Sequence, residues 1–191
     1  QAKTLFPYTT LFRSPLWFLI GASVLSVVLA SLPLARLIIY PIRLFVTFIH
    51  EGGHATAALL TLGQVESLHV YLSDASGTTL TRGGFGPAIS SAGYLASTVF
   101  GAALLILGSQ ATRAKAALTA SAGLVLLITV FLAGDWITWM MGIVLALGLV
   151  GLAMISSPGF ANFLLSFLAV QCCLNAFLDL RTLFVISTTT N

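Results

Sequence analysis

Six stretches of about twenty apolar residues dominate this 191-residue chain. A helix needs roughly that length to cross about 30 Å of hydrocarbon. The stretches lie at Pro15–Ile39, Ile42–Leu62, Pro87–Gly108, Ala116–Ala133, Trp136–Ile155 and Ala161–Ile186. Turn or charge signals mark the breaks at Tyr40-Pro41, Ser109–Lys115, Gly134-Asp135 and Ser156–Gly159. The pattern predicts an all-α polytopic membrane protein with about six transmembrane helices. Trp17, Trp136 and Trp139 fall near predicted helix ends, where indoles favour the headgroup layer.

Charge points the same way. Only 7% of the residues are charged, against roughly 25% in a soluble domain. So few charges cannot clothe a water-facing surface, which excludes a soluble enzyme, a nucleic-acid binder and a disordered chain. The net charge of +3 comes from eight basic residues scattered along the chain, and they orient it in the lipid bilayer. Arg36, Arg43, Arg113 and Lys115 share one side, which the excess of positive loop charge makes cytoplasmic. Arg82, Arg181, Asp74 and Asp135 are expected on the other.

Residues 1–14 read differently from the rest. They lack the cationic start, apolar stretch and cleavage site of a signal peptide, and KTLFPYTTLFRS resembles a translated sequencing adaptor. This leader is expected to be non-native, with residues 15–191 forming one transmembrane domain. Cys172 and Cys173 are adjacent, a spacing that rarely satisfies disulfide geometry. They are expected to pack as small buried hydrophobes.

One segment is not helical in pattern. Across residues 64–86, Leu68, Val70 and Leu72 alternate with Ser67, His69 and Tyr71, and a turn signal follows at Asp74–Gly77. That alternation predicts a β-hairpin. Unpaired backbone edges cannot face lipid, so the hairpin must sit at the interface or in a cavity walled by helices.

Chemistry concentrates in the second stretch, at His50-Glu51-Gly52-Gly53-His54. Positions i and i+4 share a helix face, so His50 and His54 can turn ring nitrogens toward one metal ion, as H-E-x-x-H does in zinc hydrolases. Glu51 is placed to take a proton from a water that zinc activates. Each ionisable group at mid-bilayer costs about 2.5–3.5 kcal/mol on insertion scales. The Gly52-Gly53 pair weakens the helix by roughly 1 kcal/mol per glycine. Metal ligation would compensate for an arrangement this unfavourable. A catalytic zinc usually takes three protein ligands. Asp179 is the leading candidate for the third, being the other acidic residue within an apolar span. His69, Asp74 and Asp135 are the alternatives. Asn175, one turn before Asp179, is placed to hold substrate backbone or orient a ligand. Ala92, Gly93, Ala96, Ser97 and Gly101 form a small-residue face for close helix packing, against the His50 helix or a second copy of the chain.

An H-E-x-x-H within a span, a following hairpin and a late helix bearing Asn175 and Asp179 resemble the site-2 protease class of intramembrane zinc metallopeptidases. His50–Gly63, Asp74–Gly77, Ser91–Leu95 and Asn175–Leu183 are similar to its M50B-like branch. The resemblance runs from about Arg43 to Ser187 and implies a site-2-protease-like core in a bacterial plasma membrane. It implies Zn2+ on His50, His54 and Asp179, Glu51 as general base, and hydrolysis of membrane-anchored protein substrates. It also implies strand addition of an unwound substrate to the hairpin, with Asn175, Leu68 and Val70 as contacts. Leu178-Asp179-Leu180 departs from the Asn-Pro-Asp-Gly or Leu-Asp-Gly signature of better-studied members. The polar stop Thr188–Asn191 suggests truncation before a further span. A non-catalytic scaffold of the same fold is the principal alternative, and a metal transporter the next.

Overall fold

A computed structural model describes residues 20–21, 23–25, 35–108 and 111–189. The leader and most of the expected first span, Trp17 included, lie outside the described residues. Within them the order is helix α1 (Ala35–Leu60), strands β1 (Gln64–Val70) and β2 (Gly77–Arg82), then helices α2 (Gly86–Leu107), α3 (Ala111–Leu132), α4 (Trp136–Ile155) and α5 (Pro158–Thr189). Gly86–Leu107, Arg113–Leu132, Trp136–Ile155 and Pro158–Leu180 are long and apolar enough to cross a membrane. The chain is a helical membrane protein carrying a small two-stranded sheet.

The break expected at Tyr40-Pro41 is absent. Helix α1 runs through Pro41. Proline lacks the N–H of one ladder bond, but here it falls in the second turn of a 26-residue helix, and the turns beyond it are packed in the core. Leu44, Phe45, Phe48 and Ile49 of α1 are buried, together with Leu118 and Val125 of α3, Leu145 and Leu149 of α4, and Leu165 and Leu168 of α5.

Helix α2 runs antiparallel to α1. Phe85 N–H donates to Thr61 Oγ1 at one end, Gly93 meets His50 and His54 midway, and the rings of Phe100 and Phe45 pair at the other. Small residues allow this approach. A Cβ on Gly53 would lie 2.5 Å from Ala96 Cβ and 2.7 Å from the Ala92 carbonyl oxygen. Ala92, Gly93 and Ala96 thus pack on the His50 helix as expected, whereas Gly101 turns to α5, where Ala169, Cys172 and Cys173 fill the space. Both cysteines are free thiols, and Cys172 is fully buried.

The hairpin folds back along α1. Strand β1 pairs antiparallel with β2 from Gln64↔Arg82 to Val70↔Gly77, with a bulge between Val65 and Ser67. Six steps of about 3.3 Å match some thirteen helical residues at 1.5 Å each, so the turn descends from Leu60 to the level of Thr47. Thr47 Oγ1 accordingly donates to the Ala75 carbonyl at 2.6 Å, and Tyr40 Oη to that of Leu72 at 2.9 Å. This corrects the expected sidedness of Asp74, which lies at the Arg43 end of α1 and feels its charge. Alternation holds for Leu68 and Val70, which are buried. It stops before Leu72, which is exposed in the turn.

The outer edge of β1 is closed by the α3–α4 loop. Gly134 N–H donates to the Leu68 carbonyl and Val70 N–H to Thr138 Oγ1, both at 2.9 Å. The hairpin therefore packs one face on α1 and one edge on the α3–α4 loop, while its other face stays largely exposed. Among the described residues no strand or loop pairs with the outer edge of β2.

Candidate metal centre

The i, i+4 spacing places His50 and His54 on one face of α1, with their Nε2 atoms 3.1 Å apart. His54 Nδ1 lies 2.6 Å from the carbonyl oxygen of Ile89. Only an N–H can face a carbonyl at that distance, so a neutral His54 presents a bare Nε2 to His50. Two nitrogens meeting in this way need a proton or a cation between them. Two ligands held at 2.0–2.1 Å by tetrahedral zinc stand about 3.3–3.4 Å apart, close to the separation here. The carbonyl on the far nitrogen of His54 is the support that metal-binding histidines commonly have. The donor set and spacing thus fit a zinc ion.

Gly93 of α2 floors the pair. A side chain there would run into both imidazoles. Glu51 is buried, at 6% exposure, and its Oε2 accepts a 2.7 Å hydrogen bond from Thr79 Oγ1 on β2. The ligand atoms of His50, Glu51 and His54 lie within 4.8 Å of one another.

Asp179 reaches this group from α5. Its Oδ2 is 3.3 Å from His50 Nδ1 and accepts from Asn175 Nδ2 at 2.9 Å. The carboxylate therefore stands at the Nδ1 edge of the ring, and His50 Nδ1 is buried without a hydrogen-bond partner. Asn175 spends its amide on Asp179, as an orienting residue would. Leu68 and Val70 do not lie open to a substrate. The pleat turns them toward α1, leaving the residues 0% and 3% exposed, and their strand edge is already bonded by Gly134 and Thr138.

The alternative ligands lie elsewhere. Asp74 accepts from the N–H and hydroxyl of Ser76 in the hairpin turn. His69 Nδ1 donates to Asp135 Oδ2 at 2.6 Å, and its Nε2 is 2.9 Å from Ser67 Oγ. Asp135 also caps α4, accepting from Thr138 N–H and Thr138 Oγ1. Partial burial alone would push the Asp135 carboxyl up. The bonds from Thr138 and His69 outweigh it and hold the group below the usual carboxylate range. Together these residues fasten the hairpin to the α3–α4 loop. Gly134 is required there, since a Cβ would meet Ser67 and His69 at 2.5–2.7 Å.

Thr79 and the Ile89 carbonyl are not among the residues that the sequence singles out, and Gly93 stands there as a packing position and within the Ser91–Leu95 stretch, not as the floor of the histidine pair. Neither Thr79 nor the Ile89 carbonyl carries a local signal in the sequence.

A family model described as Peptidase M50B-like matches residues 18–191. No curated protein and no solved structure matches this chain.

Proposed function

Because the chain belongs to the Peptidase M50B-like family, we propose that it is a zinc-dependent intramembrane endopeptidase acting on membrane-anchored proteins, in a bacterial plasma membrane. Six spans are part of this reading. The observation that carries it is the 3.1 Å approach of His50 Nε2 and His54 Nε2, with Glu51 buried beside them.

His50 and His54 would hold the ion, which when bound supplies the Lewis acidity that brings the pKa of a water toward about 7. Glu51 accepts the proton of the attacking water on Oε1, its Oε2 being taken by Thr79, and returns it to the leaving amine. Asp179 is the third residue of the set. Its place beside His50 Nδ1 is compatible with ligation after a rotamer change, or with a carboxylate–histidine–metal relay. Removing a relay carboxylate costs about 10–100-fold in metal affinity, whereas removing a ligand empties the site. The free outer edge of β2 is the place for an unwound substrate to add as a strand, in contrast to the buried Leu68 and Val70.

The test uses purified, zinc-loaded protein and a panel of fluorogenic single-span peptides in detergent micelles. Cleavage by the wild type, abolished in Glu51→Gln with zinc retained, is the expected result. Zinc-loaded wild type that cleaves none of the panel favours the non-catalytic scaffold.

A further inference from the structure

Glu51 is carried by α1 but held by the hairpin. A glutamate side chain has three rotatable bonds, and nothing in helix geometry fixes its carboxylate. Two contacts one turn apart on α1 engage the hairpin. Thr47 Oγ1 donates to the Ala75 carbonyl at 2.6 Å, and Thr79 Oγ1 donates to Glu51 Oε2 at 2.7 Å while lying 3.1 Å from the Glu51 carbonyl oxygen. Gly77 completes the seat. A Cβ there would come within 2.7 Å of both Glu51 Cγ and Thr47 Cγ2, so the strand can close on the helix only because that position has no side chain.

We propose that Thr79 is the positioning residue for Glu51: its hydroxyl fixes the carboxylate, so docking of strand β2 on α1 sets the geometry of the base. Its role in turnover rests on the peptidase reading above, whereas the contact itself does not. The same strand carries the free edge offered to substrate. Strand addition at β2 and placement of the base are thereby joined through one side chain. A hydrogen bond to a charged group is among the stronger ones in proteins, and its loss from a buried acceptor is correspondingly costly.

The test has a spectroscopic and a kinetic arm. Glu51 and Glu66 are the only glutamates in the chain, so 13C-carboxyl glutamate labelling of metal-free protein in detergent gives two infrared carboxyl signals, and Glu51→Gln assigns the one of interest. Thr79→Val keeps the β-branched shape without the hydroxyl, and Thr79→Ser keeps the donor. The Glu51 band is expected to move in Thr79→Val and to return in Thr79→Ser. A band unchanged in Thr79→Val overturns the proposal. With zinc-loaded protein and a fluorogenic single-span peptide, Thr79→Val is expected to lower kcat about tenfold with KM within twofold, and Thr79→Ser to restore kcat to within about threefold. Equal losses in both variants, or a change in KM alone, also overturn it. Should the wild type cleave nothing, the peptidase reading fails by itself and the infrared band still decides the contact.

Discussion

The Cα of Gly93 sits against the imidazole of His54, where an added methyl group would come within 2.5 Å of Nε2 and would also meet His50. Gly93→Ala must therefore push the two rings apart or turn them. Zinc affinity is expected to fall at least tenfold while helix content stays at the wild-type level. Equilibrium dialysis with circular dichroism checks this, and wild-type affinity in Gly93→Ala would show that the rings are free to yield.

Gly53 sets two effects against each other. Alanine in place of a mid-helix glycine gains about 1 kcal/mol in propensity. A Cβ at 2.7 Å from the Ala92 carbonyl oxygen and 2.5 Å from Ala96 Cβ overpacks a contact that backbone helps to form, which costs about 1–3 kcal/mol. The clash is expected to win, so Gly53→Ala lowers thermal stability in detergent. A rise in stability would mean that α1 and α2 separate without penalty.

Asp135 links stability to pH. Its carboxyl is held below the usual range in the folded protein, so its contribution is full above the unfolded value of about 3.9 and is lost as the pH falls through the folded one. Asp135→Ala also removes the α4 cap, worth about 1 kcal/mol. Wild type is expected to melt above Asp135→Ala at pH 7, and the gap to narrow below about pH 4. Melting curves across that range test it. A gap independent of pH would show that the ionised carboxylate does not contribute to stability.

Local rules made four of the helices legible. Arg113–Leu132 and Trp136–Ile155 follow from apolar runs bounded by charge and by the Gly134-Asp135 break. The i, i+4 rule placed His50 and His54 on one face. Pro41 misled, because a proline reads as a stop wherever the sequence shows it, while the cost of keeping it depends on the packing of later turns. Leu72 misled in a similar way, since alternation cannot show where the ladder ends. Contacts made across the fold left no local trace: the Ile89 carbonyl on His54, the Thr79 hydroxyl on Glu51, and the bonds that close the outer edge of β1. Each joins residues far apart in sequence, and a backbone carbonyl carries no side-chain signature at all.

His50 and His54 are proposed to hold one zinc ion. Zinc per chain tests this, measured by elemental analysis on protein purified in detergent without added metal, for wild type, His54→Ala and Asp179→Ala. Close to one zinc is expected in the wild type and none in His54→Ala, with Asp179→Ala separating loss of a ligand from weakened support. A well-folded wild type without zinc, or zinc retained in His54→Ala, would contradict it.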